Sequence, residues 1–227
     1  MGDVVLGIET SCDETAVAVV ERAAVVRSSV VSSQVEQHAR FGGVVPEIAG
    51  RAHVQELVPV LAEALATAGV EGPDVEVVAA TTGPGLVGSL LVGVSAAKAL
   101  SLVWGVPFVS VNHLEAHLYA SFLEEPDLEL PLVVLLVSGG HTMLVLMEDH
   151  GRYRLLGSTL DDAAGEAFDK VARYLGLGYP GGPAIDALAA EGDGSAFDYP
   201  RSMVQENPDT LPDDRRYAFS FSGLKTA

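Results

Sequence analysis

With 227 residues and 48% hydrophobic content, the chain has ample material for a buried core, arranged in one lobe or two. A formal net charge of −18 repels phosphate backbones, so the chain alone is excluded as a strong nucleic-acid binder, and an RNA substrate would need a basic partner. The single cysteine, Cys12, excludes an internal disulfide; with no apolar signal segment at the start it points to the cytosol, and the longest apolar runs, broken by Gly, Ser or Lys, fall short of a membrane span of about 20 residues.

In chain order, residues 4–11 (VVLGIETS) predict a strand running into a polar turn. Residues 15–20 and 24–33 predict two further strands of an antiparallel meander. Val54, Leu57, Val58, Leu61 and Leu65 recur at helical spacing, which predicts a helix over 53–69 stopped by Gly69. A strand over 75–81, a glycine turn, a long apolar helix over 88–104 and a strand over 106–111 follow, leading into a helix that starts near His113 with Asn112 as its N-cap. The acidic, proline-flanked run 122–131 reads as the junction between a first lobe, 1–125, and a second, 126–227. Beyond it come strands over 132–138, 142–148 and 152–158, then helices over 165–175 and 182–191.

The second half restarts the pattern of the first. VVLGIETSCDETAVAVV and VVLLVSGGHTMLVLM carry a polar turn at the same place between two apolar strands. Duplicated lobes of this kind occur in the actin, Hsp70 and sugar-kinase superfold, where a hairpin turn from each lobe faces the phosphates of a nucleotide; unrelated α/β chains give similar coarse matches. The closing segment FSFSGLKTA reads as the start of an element, so the second lobe is expected to be truncated.

Four groups of residues have chemistry to offer. His113 and His117 lie four apart on one helix, so both imidazoles project from one face and are able to share a metal ion. Two nitrogen ligands do not close a site; zinc and iron both need a third protein ligand. Glu115 lies about 200° around the helix from His113, so the motif HLEAH is not the protease HExxH. The turn Glu9–Thr15 holds three carboxylates and three hydroxyls, and is either an exposed acidic hairpin or the rim of a cleft that holds Mg²⁺ or orients a nucleophile. Ser138-Gly139-Gly140 is either an anion nest or a plain hairpin turn. Gly181-Gly182-Pro183 opens a helix carrying Asp186, an arrangement that lets a ligand approach the helix N-terminus or merely starts the helix.

Taken together, GIETSCDETAVAVV, GGVVPEIAGRAH, TTGPGLVGSLLVG, VNHLEAHLYA, LLVSGGHT, DDAAGEAFDKVARYLGLGYPGGPAID and FSFSGLKTA resemble the TsaD family, in order and with similar spacing, from residue 4 to residue 227. The resemblance implies an α/β actin-like ATPase (ASKHA) fold of two RNase H-like lobes around a cleft. It also implies transfer of threonylcarbamoyl from threonylcarbamoyl-AMP to N6 of the adenosine next to the anticodon in tRNAs reading ANN codons (t6A biosynthesis). By the same resemblance one iron or zinc ion is held by His113 and His117, with ATP and Mg as a further nucleotide ligand. Leu136, Val137, Ser138, Gly139 and Gly140 match the family's substrate-binding loop, Asp169, Gly182 and Asp186 its other nucleotide or acyl-adenylate contacts, and Glu14 an acidic residue tied to activity. The implied partners are tRNA, a TsaB-like paralogue that pairs with the first lobe, and a TsaE-like ATPase, in the cytoplasm and without a membrane. The family's third metal ligand, an aspartate, and a substrate-binding asparagine are expected beyond residue 227. No Ser-His-Asp or Cys-His arrangement is evident, so direct transfer without an acylated enzyme is expected.

Three other classes compete. A metalloprotease would rest on the histidine pair alone. A small-molecule kinase of the same superfold would use carboxylate-held Mg²⁺ and no histidine pair. A non-catalytic scaffold would have no use for the histidine pair or the SGG loop.

Overall fold

The computed structural model describes residues 4–22, 24–199, 201–203 and 215–226. The chain divides into two units, Met1–Leu128 and Glu129–Ala227.

The first unit is built on a five-stranded sheet: β1 (Val4–Glu9), β2 (Glu14–Glu21), β3 (Val25–Ser33), β4 (Val77–Gly83) and β5 (Phe108–Asn112), in the order β3-β2-β1-β4-β5. β1, β2 and β3 pair antiparallel, whereas β1–β4 and β4–β5 pair parallel. The parallel joins need crossovers, supplied by α2 (Pro46–Ala68) between β3 and β4 and α3 (Val87–Trp104) between β4 and β5. Strand alternation sorts the side chains onto two faces. Leu6, Ile8, Val17, Val19, Val78 and Ala80 form the core with Leu57, Val60 and Ala64 of α2 and Ala97 of α3. Gly7, Glu9, Ala16, Ala18, Ala79 and Thr81 line the other face with α4 (His113–Glu124).

One predicted boundary moves for a local reason. The first long helix begins at Pro46, not near residue 53, because proline at the first helical position has its φ preset and needs no N–H there. It runs through Pro59 and ends at Gly69, whose left-handed φ of 65° closes it as predicted. Ahead of it, Val35–Ala39 forms a short helix α1 that apolar periodicity did not mark. Among the described residues α3 alone is long and apolar enough to cross a membrane; its small residues Ser89, Gly93 and Ala97 are buried against the unit's interior.

The second unit opens with the same antiparallel meander: β6 (Leu132–Val137), β7 (Thr142–Asp149) and β8 (Arg152–Ser158), followed by α5 (Ala164–Leu175), α6 (Gly181–Ala189) and α7 (Ser222–Thr226). Asp161 accepts from the backbone N–H of Phe221 and Ser222 at 2.8 and 3.2 Å, anchoring the start of α7. Asp162 binds Lys170 and Lys225, each at 2.6 Å. The strand order and directions of the first unit are those of a ribonuclease H-like lobe, and the second repeats its opening; the fold is of the α/β, actin-like ATPase class.

Candidate functional site

β1, β4 and β5 run parallel, and ligand sites in such sheets gather at the carboxyl ends of the strands. Here those ends carry Glu9, Thr81 and the step from Asn112 into His113. Asn112 caps α4 as predicted: its Oδ1 accepts from the N–H of Leu114 at 2.9 Å and of Glu115 at 3.2 Å. The cap fixes the first turn of α4, and so the direction of His113.

One helical turn on, His117 brings its Nε2 to 3.2 Å from Nε2 of His113, with the rings nearly perpendicular at 86°. Two nitrogens bound to one zinc at about 2.0–2.1 Å and a tetrahedral angle sit about 3.3–3.4 Å apart, close to the separation of this pair. Among the described residues no third His, Cys, Asp or Glu joins them in a metal-sized group.

The other nitrogen of His113, Nδ1, lies 3.2 Å from Glu9 Oε2 and 3.2 Å from Ser11 Oγ. Thr81 Oγ1 donates to Glu9 Oε2 at 2.6 Å, and the N–H of Ser11 donates to Glu9 Oε1. Burial alone would raise the carboxyl pKa of Glu9; hydrogen bonds from His113, Ser11 and Thr81 outweigh it and bring the group down to about 2. Beside this cluster a cavity of about 340 Å³ is walled by small residues of β1, β2 and β4 and by Ala116 and Ala120 of α4.

The polar turn between β1 and β2 is held from behind. His53 of α2 is fully buried and contacts Thr15 Oγ1 at 2.8 Å, Gln34 Nε2 at 3.3 Å and the carbonyl of Cys12 at 3.1 Å. Gln34 in turn meets buried His38 at 3.2 Å. Desolvation lowers the pKa of His53. Glu14 starts β2 with its side chain exposed. Desolvation and the charges of Asp13, Glu9 and Glu14 push the Cys12 thiol up to about 12.

In the second unit, Leu136 and Val137 end β6 and Ser138, Gly139 and Gly140 form the turn to β7. The turn is closed by Ser138 N–H to the His141 carbonyl at 2.8 Å and by His141 N–H to Ser138 Oγ at 3.1 Å. Gly165 in α5 packs under it; a Cβ there would lie 2.7 Å from the Ser138 carbonyl oxygen. Asp169 accepts from the N–H of Gly181 at 2.8 Å and so sits at the start of α6, the helix that carries Gly182 and Asp186. The structure thus gathers His113, His117 and the Glu9 turn in one unit, and in the other the 136–140 loop with α5 and Asp169 with α6.

The sequence marked Glu9 as a carboxylate of the polar turn but not as the partner of His113, and it did not mark Thr81 or the His53–Gln34–His38 network. Glu9 had a signal: it is the only charged residue of β1, on the same alternation as Gly7. The network had little: Gln34 and His38 are only four residues apart, but His53 joins them through the packing of α2.

A family profile described as tRNA N6-adenosine threonylcarbamoyltransferase matches residues 25–227. Proteins of that name from Caldicellulosiruptor saccharolyticus and Moorella thermoacetica are each 57% identical over 223 residues, 98% of this chain and 63% of the relative. One from Thermomicrobium roseum is 56% identical over 99% of this chain and 60% of its own length. The chain therefore spans less than two thirds of the curated relatives it matches. Among solved structures, a Pseudomonas aeruginosa protein with similarity to peptidase YeaZ aligns with a TM-score of 0.46 and 20% identity, over 67% of this chain and 63% of that one. With the profile and these relatives agreeing along nearly its whole length, the chain belongs to the TsaD family.

Proposed function

We propose that this chain carries the metal-binding and part of the substrate-binding machinery of a tRNA N6-adenosine threonylcarbamoyltransferase. In this reading threonylcarbamoyl passes from threonylcarbamoyl-AMP to N6 of the adenosine next to the anticodon in tRNAs reading ANN codons. The observation that carries it is the convergence of His113 Nε2 and His117 Nε2 at 3.2 Å, at the carboxyl ends of three parallel strands.

In this proposal Leu136, Val137, Ser138, Gly139, Gly140, Asp169, Gly182 and Asp186 bind the adenylate. Backbone N–H groups of the glycine turn suit its phosphate, and an aspartate suits the ribose hydroxyls. His113 and His117 would hold an iron or zinc ion, which when bound would supply Lewis acidity toward the carbamoyl or phosphate oxygens. N6 of adenosine attacks the carbamoyl carbon, the bond to the phosphate oxygen breaks, AMP leaves, and the N6 proton passes to solvent; Glu14 begins β2, at the end of the turn that carries Ser11. Because N6 is a weak nucleophile, placement contributes more than a strong base would. Direct transfer, with no acylated side chain, is supported by the state of the chain's one thiol: Cys12 is pushed up to about 12 and so is a poor nucleophile.

The net charge of −18 supports delivery of tRNA by a more basic partner. A TsaB-like paralogue is supported by the apolar outer face of the crossover helices. On α2, Val54 and Val58 are 64% and 70% exposed; on α3, Val87 and Leu91 are 74% and 59% exposed. Such i,i+4 pairs are what a helix-on-helix interface uses. A TsaE-like ATPase, with ATP and Mg as ligands of the assembly, and action in the cytoplasm complete the proposal.

The test is reconstitution with the full-length protein, threonylcarbamoyl-AMP, tRNA and the TsaB-like and TsaE-like partners, measuring the modified nucleoside by mass spectrometry. Loss of product in His117→Ala supports the reading; undiminished product in that variant refutes it.

A further inference from the structure

We infer that Glu9 is a positioning residue for His113: its carboxylate holds the proton on Nδ1 of the imidazole and so leaves Nε2 as the ligating atom. This rests on reading His113 and His117 as a metal pair, and it goes beyond that reading by assigning what selects the ligating nitrogen.

The two nitrogens of His113 face different chemistry. Nε2 faces His117 Nε2 at 3.2 Å, while Nδ1 faces Glu9 Oε2 at 3.2 Å and Ser11 Oγ at 3.2 Å. An ionised carboxylate only accepts, so a bare Nδ1 would set its lone pair against a carboxylate oxygen, whereas Nδ1–H donates to it. The hydroxyl of Ser11 is able to donate or accept and does not decide between the tautomers. Glu9 does decide, and it is itself fixed. Thr81 Oγ1 donates to Oε2 at 2.6 Å and Ser11 N–H donates to Oε1, so the carboxylate is held by β4 and by its own turn. Strand alternation puts Glu9 and Thr81 on the α4 face of the sheet, where the cap on Asn112 delivers His113. In the metal-free pair, His113 Nε2 is then an acceptor and His117 Nε2–H its donor.

A ligating histidine whose other ring nitrogen donates to a carboxylate is held in one tautomer and one orientation, and loss of such a partner weakens metal binding about 10- to 100-fold. Glu9 therefore acts through His113 and is not itself a ligand.

The test uses the full-length protein labelled with ¹⁵N-histidine. In the metal-free protein at about pH 8, long-range ¹H–¹⁵N spectra are expected to show His113 as the Nδ1–H tautomer and His117 as Nε2–H. Zn²⁺ is then titrated against a competing chelator with the parent, Glu9→Ala, Ser11→Ala, His113→Ala and His117→Ala, each checked for folding by circular dichroism. Zinc affinity is expected to fall about 10- to 100-fold in Glu9→Ala and to stay near the parent value in Ser11→Ala. An Nε2–H tautomer on His113 in the unaltered chain overturns the inference. So does parental zinc affinity in folded Glu9→Ala; if that variant does not fold, the tautomer decides. Parental zinc affinity in both histidine variants would instead sink the metal-pair reading itself, a separate outcome.

Discussion

The Nδ1 atom of His53 lies 2.8 Å from the hydroxyl of Thr15, with both residues fully buried. This contact ties the crossover helix α2 to the polar turn between β1 and β2. His53→Ala leaves the Thr15 hydroxyl, the Gln34 amide and the Cys12 carbonyl short of a partner in the interior, with an expected cost of about 2–4 kcal/mol. Desolvation holds the folded-state pKa of His53 below its ordinary 6.5, helped by His38 and opposed by the Cys12 carbonyl, Glu9 and Asp13. A proton therefore binds the unfolded chain first. The contribution of His53 is complete above about pH 6.5 and is lost as pH falls through the folded-state value. Denaturant unfolding is expected to show the gap between parent and variant narrowing from about pH 7.5 to pH 5.5; a gap that widens counts against it.

The glycines near the proposed adenylate site separate into two kinds. A Cβ on Gly165 would lie 2.7 Å from the Ser138 carbonyl oxygen and 2.8 Å from Gly139 Cα, and one on Gly181 2.8 Å from Asp169 Cα. A Cβ on Gly139, Gly140 or Gly182 meets nothing within 4 Å. Gly165→Ala and Gly181→Ala are expected to cost about 1–3 kcal/mol of stability. Gly182→Ala is expected to leave the melting temperature near the parent's and to weaken an acyl-adenylate analogue in calorimetry. Unchanged affinity in Gly182→Ala would remove that glycine from the proposed contact.

Exposure makes Cys12 reachable, but its thiol is pushed up to about 12 by desolvation and by Asp13, Glu9 and Glu14. Only the thiolate reacts, so alkylation by iodoacetamide at about pH 8 is expected to run at least tenfold slower than for a small thiol of ordinary pKa. Asp13→Asn is expected to speed it. A rate equal to that of the small thiol would contradict the assignment.

The outer face of α2 and α3 gives a prediction about assembly. Val58→Asp and Leu91→Asp replace exposed apolar groups, so stability is expected to change by less than about 0.5 kcal/mol. Co-purification with a TsaB-like partner is expected to fail in either variant, since a charge buried at an interface without a partner costs several kcal/mol. Retained co-purification in both would place the interface elsewhere.

Much of this fold was legible in the sequence because its strands are short apolar runs and its helix ends carry strong local chemistry. Asn112, Gly69 and the meander 15–33 are read correctly from neighbours in the chain. The start of α2 was misplaced because the apolar residues that set the period begin only at Val54, while the first two turns pack through Ala49, Ala52 and His53. At the site, the histidine pair was legible because four residues make one turn. What orients it was not, because Glu9 lies 104 residues from His113 and Thr81 acts on it only through Glu9.

The central claim is that His113 and His117 hold one metal through Nε2. Zinc-edge anomalous diffraction from crystals of the full-length protein tests it most directly. One peak is predicted about 2.0–2.1 Å from both Nε2 atoms, with Glu9 still on Nδ1 of His113. Zinc bound through Nδ1 of His113, or at a place away from both histidines, would contradict it.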